Sequence, residues 1–333
     1  MTQSNGILVF CEADGGKLAS MAIELLGAGS RMATASGGKL SSVLIGTAVD
    51  GLAPEAISYG SQRVYLAEDP ALNEYSTDAY LIILERVVQQ CAPEIILLGQ
   101  TVAGRDLAPR LAFHLNTEAT MDCLALEIDP DSKRLLMTRP VYGGNAQAVQ
   151  VCDTDPQIAT VRPRAVSPST RDDSRQGQVI NIATELNPSA IKTKIIEKKV
   201  EVAAGVKLEE ARVVISGGRG MGGVEGFNQL EEIAGVLKGA VGATRPACDK
   251  KWIADSRQIG LTGKVVSPHL FIAVGLSGAS QHVSGFSSAE VVVAINKDPE
   301  APIFKVAHYG IVADWKAVLP AFIAKLKEVV QEA

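Results

Sequence analysis

Cysteine is scarce in this chain and never paired: Cys11, Cys91, Cys123, Cys152 and Cys248 lie far apart with no C-x-x-C spacing. That excludes a disulfide framework and a thiolate metal site of the usual pattern, and it marks the five as small buried hydrophobes of a reducing compartment. Aromatic residues make up only 5% of the 333 residues, and no apolar run reaches the length that spans a bilayer. Basic residues are not massed either. With a net charge of −5 and Lys and Arg dispersed along the chain, the electrostatic footprint of a nucleic-acid binder is missing. The densest basic stretch, 192–199, is interleaved with Ile195, Ile196 and Glu197 and reads as the solvated face of a strand. The polar start runs through Gly6 straight into Ile7-Leu8-Val9-Phe10, which leaves no room for a cleavable leader, so a cytoplasmic location is expected.

What is present is a composition 47% hydrophobic and 21% charged, with 31 glycines. This is an α/β composition with more glycine than turns require, so backbone that closely approaches a ligand is expected. The length suits two domains, and we place them at 1–205 and 206–333.

In the first domain, Ile7–Phe10, Val43–Ile45, Arg63–Leu66 and Ile95–Leu98 have the short, wholly apolar character of parallel strands buried on both faces. Helices are expected between them at 17–27 and 75–90, the latter capped by Ser76 or Thr77 and stopped before Pro93, and again at 104–115. Beyond that, 121–128, 135–139, 146–151 and 158–161 read as antiparallel strands with turns at Asp129-Pro130-Asp131 and Gly143-Gly144-Asn145. Residues 163–177, dense in Pro, Ser, Arg and Asp, are too polar for core and are expected as an exposed excursion; 191–202 resumes a strand-like pattern.

The second domain opens with the apolar strand Arg212-Val213-Val214-Ile215 and the run Ser216-Gly217-Gly218-Arg219-Gly220-Met221-Gly222-Gly223. Gly218, Gly220 and Gly223 satisfy G-x-G-x-x-G between a strand and a helix, where bare N–H groups and the helix N-terminus hold a phosphate. An NAD site would add Asp or Glu after the next strand, 240–243, to bind ribose hydroxyls. Thr244-Arg245 stands there instead, and with Arg219 it favours an anionic dinucleotide carrying about two negative charges on its pyrophosphate. Three more small polar segments follow: Gln258-Ile259-Gly260-Leu261-Thr262-Gly263-Lys264, Gly275-Leu276-Ser277-Gly278-Ala279-Ser280-Gln281-His282, and Ala294-Ile295-Asn296 through Pro302. They border predicted strands at 270–274 and 291–295, and strand ends form the ligand crevice of an open α/β sheet. No carboxylate pair or nucleophile–base pair is recognisable by spacing. A final amphipathic helix runs through Phe322, Leu326 and Val329.

These segments, with Tyr309-Gly310-Ile311-Val312-Ala313-Asp314 and, more loosely, Gly104-Arg105-Asp106-Leu107-Ala108-Pro109-Arg110, resemble the electron-transfer flavoprotein alpha family, most closely from Val213 to Asp314. The resemblance implies an N-terminal α/β domain that builds a heterodimer with a beta subunit, followed by a doubly wound FAD-binding domain. It implies that Arg219 and Thr244 sit at the FAD pyrophosphate, that Arg245 lies against the isoalloxazine and that Thr262 offers its hydroxyl to flavin N5. Ser277, Gly278, Ala279, Ser280, Gln281 and His282 would wrap the ribityl and phosphate region. His282 would approach the flavin C2 carbonyl and share with Arg245 the task of supplying positive charge to a singly reduced ring. Asn296, Asp314 and the adjoining Trp315 would hold the adenosine part, and Gln258, Ile259, Gly260 and Leu261 would line the pocket. Leu261, Ser280 and His308 depart from the family pattern and alter polarity near the cofactor. AMP or a second FAD is expected in the beta subunit. The implied role is a carrier that takes electrons from flavin dehydrogenases such as acyl-CoA dehydrogenases, as in fatty acid oxidation, and passes them toward a quinone-reducing partner. The alternatives are the alpha subunit of an NADH-dependent electron-bifurcating complex and, from another class, an NAD-dependent oxidoreductase using the glycine loop.

Overall fold

The computed structural model describes residues 6–144, 146–193, 195–197 and 206–331. The chain divides into two compact units, one of Met1–Pro140 with Gln147–Lys198 and a second of Val141–Ala146 with Lys199–Ala333.

The first unit is built on a parallel sheet. Its strands are β1 (Gly6–Cys11), β2 (Lys39–Gly46), β3 (Arg63–Glu68), β4 (Ile95–Gly99), β5 (Ala119–Cys123), β6 (Ala125–Ile128), β7 (Leu135–Val141), β8 (Ala146–Gln150), β9 (Gln157–Val161) and β10 (Gln178–Asn181). Seven of these pair in the order β10-β3-β2-β1-β4-β9-β5, all neighbours parallel. The wholly apolar strands follow from this burial. Along β1, Ile7, Val9 and Cys11 enter the core beneath helix α1 (Ser20–Ser36), while Leu8 and Phe10 enter the opposite core. That second core is covered by α3 (Thr77–Cys91) and α4 (Val102–His114), which follow the short α2 (Ala53–Ser58). Each such side chain contributes about 1.5–3 kcal/mol when fully buried.

Several expectations need correction. The first helix begins at Ser20 rather than at Lys17 and runs on to Ser36, where Gly37 adopts the left-handed conformation that ends it. Ser76 is the N-cap of α3, yet its side chain makes no capping bond. Of the strands expected to be antiparallel, β9 and β5 belong to the parallel sheet; only β6, β7 and β8 form a separate sheet, in which β6 and β7 pair antiparallel. β9 is buried along its whole length, although Gln157 and Thr160 interrupt its apolar run, and patterning does not report the direction of pairing. The described residues among 191–197 carry no strand, and the rest of the expected strand, with Asn145 of the expected turn, lies outside the described residues.

The polar stretch 163–177 is mostly exposed from Ser167 on, but it is pinned, and its first residues Ala165 and Val166 pack on the α1 core. A Cβ added at Gly27 would lie 2.5 Å from the Ser167 carbonyl oxygen, so the helix presents bare backbone where this segment crosses it. Arg31 donates to the Ser167 carbonyl (3.0 Å), and the Arg164 N–H donates to the Glu24 carboxylate (2.7 Å). Burial pushes the Glu24 carboxyl up to about 7. A carboxyl whose folded-state value is raised favours the protonated folded state, so its contribution is full below its unfolded value near 4.5 and is lost as pH rises through about 7. Glu24→Gln, whose amide oxygen still accepts from Arg164, is therefore expected to flatten the stability profile. Urea midpoints at pH 5 and 8 should differ less in the variant than in the wild type, and equal differences would refute this.

The second unit has strands β11 (Val213–Gly217), β12 (Ala240–Ala243), β13 (Leu270–Val274), β14 (Val291–Asn296) and β15 (Tyr309–Val312). They pair in the order β12-β11-β13-β14-β15, all parallel. Helix α5 (Val224–Leu237) buries Phe227, Leu230, Ile233 and Ala234, with Leu237 partly buried against the same core. The short helices α6 (Arg245–Asp249) and α7 (Ser280–Val283) precede α8 (Trp315–Gln331), which packs Leu319 and Ile323 into the same core as α5. After β11 the chain turns to β12 on one side and then crosses to β13 on the other. The topological switch point therefore lies between the carboxyl ends of β11 and β13, where open α/β sheets bind ligands. No helix among the described residues is long and apolar enough to cross a membrane.

Candidate functional site

A cavity of about 790 Å³ opens at this switch point, within the 300–1,000 Å³ range of small-molecule pockets. Its wall combines Arg219 and Gly220 after β11, Thr244, Arg245 and Pro246 after β12, Gln258 to Thr262 from the next loop, Gly275 to Ala279 with Gln281 and His282 after β13, and Asn296 to Asp298 after β14, together with Ala301 and Pro302. Thr244, Arg245, Gln258, Ile259, Gly260, Leu261, Thr262, Ser277, Gly278, Ala279, Gln281, His282 and Asn296, all singled out from the sequence, thus meet Arg219 around one space. Asp314 and Trp315 line a smaller cavity of about 70 Å³, whose wall shares Gly220, Gly275, Asn296 and Lys297 with the larger one. Ser280 lines neither. Leu276, Lys297, Asp298, Ala301 and Pro302 also line it; they fall within the polar segments named from the sequence but were given no role of their own, and Pro246 lay outside those segments.

Local geometry explains how each wall is held. Thr244 N–H donates to the Gly217 carbonyl (3.1 Å), tying the end of β12 to that of β11 and leaving Arg245 exposed at the cavity mouth, 3.7 Å from Asp249. The loop 258–264 is closed by two backbone bonds, Lys264 N–H to Gln258 carbonyl (2.8 Å) and Gly260 N–H to Lys264 carbonyl (3.1 Å). Within it the Gln258 amide donates to the Thr262 hydroxyl (3.0 Å), which leaves the Thr262 proton available to an acceptor in the cavity. Asn296 donates to the Leu276 carbonyl (2.8 Å) and accepts from Asp298 N–H (3.0 Å), so its amide braces two loops as it lines the space. The Trp315 indole donates to the Gly220 carbonyl (2.9 Å), and Asp314 accepts from Lys316 N–H at the start of α8.

Two expectations are corrected here. The glycine run is not an open phosphate nest: Gly218 N–H donates to the Val274 carbonyl (3.0 Å) and Gly220 N–H to the Gly275 carbonyl (2.8 Å), while Gly223 and the start of α5 do not line the cavity. The loop is stitched to β13, and what it offers an anion is the Arg219 side chain. The second correction concerns His282. Its Nδ1 lies 2.9 Å from the Ile259 carbonyl oxygen and its Nε2 3.3 Å from Ser216 Oγ, and burial drives its pKa down to about 4, against the smaller opposing effect of the Ile259 carbonyl. The ring is neutral at pH 7, so positive charge at the cavity comes from Arg219, Arg245 and Lys297, set against one carboxylate, Asp298, among the described lining residues.

Of the departures from the family pattern, Leu261 lines the cavity with its side chain largely exposed, whereas His308 accepts from Val292 N–H (3.0 Å) beside β14, away from it. His114 and His269 pair with Glu85 and Glu290 on the surface.

The comparisons with known proteins agree with this geometry. Residues 7–186 match the family described as "Electron transfer flavoprotein domain", and residues 207–287 match "Electron transfer flavoprotein FAD-binding domain". The "Electron transfer flavoprotein subunit alpha" of Thermoanaerobacterium thermosaccharolyticum is 45% identical over 98% of this chain and 99% of its own. The chain belongs to the electron-transfer flavoprotein alpha-subunit family. Other relatives of this family include "Protein FixB" of Clostridium saccharobutylicum, 41% identical over 98% of this chain and 97% of its own. The "Acryloyl-CoA reductase electron transfer subunit beta" of Anaerotignum propionicum is 36% identical over 97% of this chain and 95% of its own.

FAD binding is thus a property of the second unit, and the residues present fit it: three cations face one carboxylate, the volume suits a dinucleotide, and neutral hydroxyls and amides line the remainder. The isolated match to G-x-G-x-x-G pointed to the right end of the sheet, although the N–H groups of Gly218 and Gly220 are engaged elsewhere.

Proposed function

We propose that this chain is the FAD-carrying subunit of a soluble, cytoplasmic electron shuttle that works beside a beta subunit. It takes electrons from flavin dehydrogenases such as acyl-CoA dehydrogenases and passes them toward a quinone-reducing partner. The observation that supports this most is the cavity at the β11/β13 switch point, where Arg219, Arg245 and Lys297 face the single carboxylate of Asp298 among the described lining residues. A flavin held there supplies one-electron chemistry. The chain's own residues bind, orient and tune: Arg219 and Thr244 toward the pyrophosphate, Arg245 beside the isoalloxazine, Thr262 as a donor to flavin N5. Ser277 to Ala279 and Gln281 hold the ribityl chain, and Asn296, Asp314 and Trp315 hold the adenosine end. The domain limits of the reading are 1–205 for heterodimer formation and 206–333 for the cofactor.

A second reading, the alpha subunit of an NADH-dependent bifurcating complex, draws on the relative named as a reductase's electron transfer subunit. Purifying the chain with its beta subunit and counting nucleotides separates them. One FAD with one AMP supports the shuttle, two flavins support bifurcation, and a colourless complex that takes up no FAD would overturn both.

Asp314→Ala is expected to weaken FAD retention by roughly tenfold, since it removes an acceptor at the adenosine end, with little effect on heterodimer formation. Equilibrium dialysis against FAD and analytical gel filtration measure the two. Loss of the beta subunit with FAD retained would show that Asp314 is misplaced.

A further inference from the structure

Behind the cavity wall, His282 meets a buried hydroxyl that the cofactor roles leave unexplained. Ser216, at the carboxyl end of β11, is fully buried, and its hydroxyl lies 3.3 Å from His282 Nε2. On the other side of the ring, Nδ1 faces the Ile259 carbonyl oxygen at 2.9 Å. A carbonyl can only accept, so Nδ1 must carry the proton. In a neutral imidazole Nε2 is then a bare lone pair, and the Ser216 hydroxyl is the donor that meets it. The ring faces are packed rather than solvated, with the Phe286 and Phe271 centroids at 5.4 and 6.3 Å. None of the side chains of Ser216, Ile259, Phe271 and Phe286, which surround the ring from β11, the 258–264 loop, β13 and the turn after α7, bears a charge.

We infer that Ser216 is a positioning residue: its hydroxyl occupies His282 Nε2, so that the imidazole stands in the cavity wall as a neutral ring with its single proton on Nδ1. The cofactor consequence rests on the flavin reading above. Near the ring system His282 acts as a shaped, uncharged wall, and the positive charge that tunes electron affinity is left to the arginines. Without the Ser216 hydroxyl, Nε2 would be unmatched in either state, a bare acceptor when neutral and a charged donor when protonated, and the second is the costlier in a dry site.

The test is ¹⁵N NMR of the histidine-labelled full chain, with and without FAD. Only four histidines are present, and His282→Asn assigns the signal. The wild type is expected to show a neutral ring protonated at Nδ1 at neutral pH. Ser216→Ala is expected to shift the His282 titration downward by roughly fivefold in proton affinity, because the lost partner stabilises a protonated Nε2–H more than a bare Nε2. Ser216→Thr, which retains the hydroxyl, should restore the wild-type titration. A wild-type ring protonated at Nε2, or a Ser216→Ala titration that overlays the wild type, would overturn the inference while leaving FAD binding intact. A chain that shows the expected ring but takes up no FAD would instead sink the flavin reading alone.

Discussion

Gly278→Val is expected to strip the protein of its flavin. Gly278 has φ +83, a conformation that costs an L-residue about 1–2 kcal/mol, most of all a β-branched one. A Cβ there would also lie 2.4 Å from the Ile303 nitrogen and 2.5 Å from its Cα. Both are backbone atoms, fixed because Ile303 N–H donates to the Ser277 carbonyl (3.0 Å), so neither side can yield without opening the loop that lines the cavity. Flavin retention should fall by at least about tenfold from the backbone cost alone. The flavin-to-protein ratio measures it, and amide exchange in β1 and β4 checks that the first unit remains folded. Stoichiometric flavin in the variant would mean that this loop does not shape the site.

Arg245→Ala is expected to lower the first-electron potential of the bound flavin by roughly 60 mV or more, a tenfold change in the equilibrium constant. With His282 neutral, the cation at the cavity mouth carries the weight that the sequence had divided between two residues. Arg245 is 67% exposed by its side chain and near Asp249, so screening limits its effect in the free chain. Desolvation by a bound ring would strengthen it. Stepwise reduction with spectral monitoring gives the potential; an unchanged value would remove Arg245 from the role given to it. Arg245→Lys should fall between the two, because a point charge replaces a planar one.

How much of this was legible in advance differs by feature. Strands buried on both faces announce themselves as apolar runs, which is why β1, β2, β3, β4 and β11 to β14 could be read within a few residues. β15 could not: Tyr309 to Val312 are all exposed, so the strand exists through pairing with β14 rather than through any pattern of its own. The orientation of β5 and β9 was misread because pairing direction is a property of partners far away in sequence. At the site, small polar residues after predicted strands located the cavity, since strand ends converge at a switch point whatever the side chains do. The state of His282 was hidden, because it depends on a carbonyl at position 259 and a hydroxyl at position 216, neither adjacent in the chain. The glycine run shows the same limit: the spacing revealed where the backbone comes close, but not that Val274 and Gly275 already accept its protons.

That last arrangement has a bearing on how the protein loses and regains its cofactor. Since Gly218 and Gly220 are anchored by β13 and Trp315 grips the Gly220 carbonyl, the receptacle is moulded by the polypeptide itself and owes none of these bonds to the guest. A wall held by such intrachain bonds leaves little backbone to be ordered by a ligand, which lowers the entropic cost of binding.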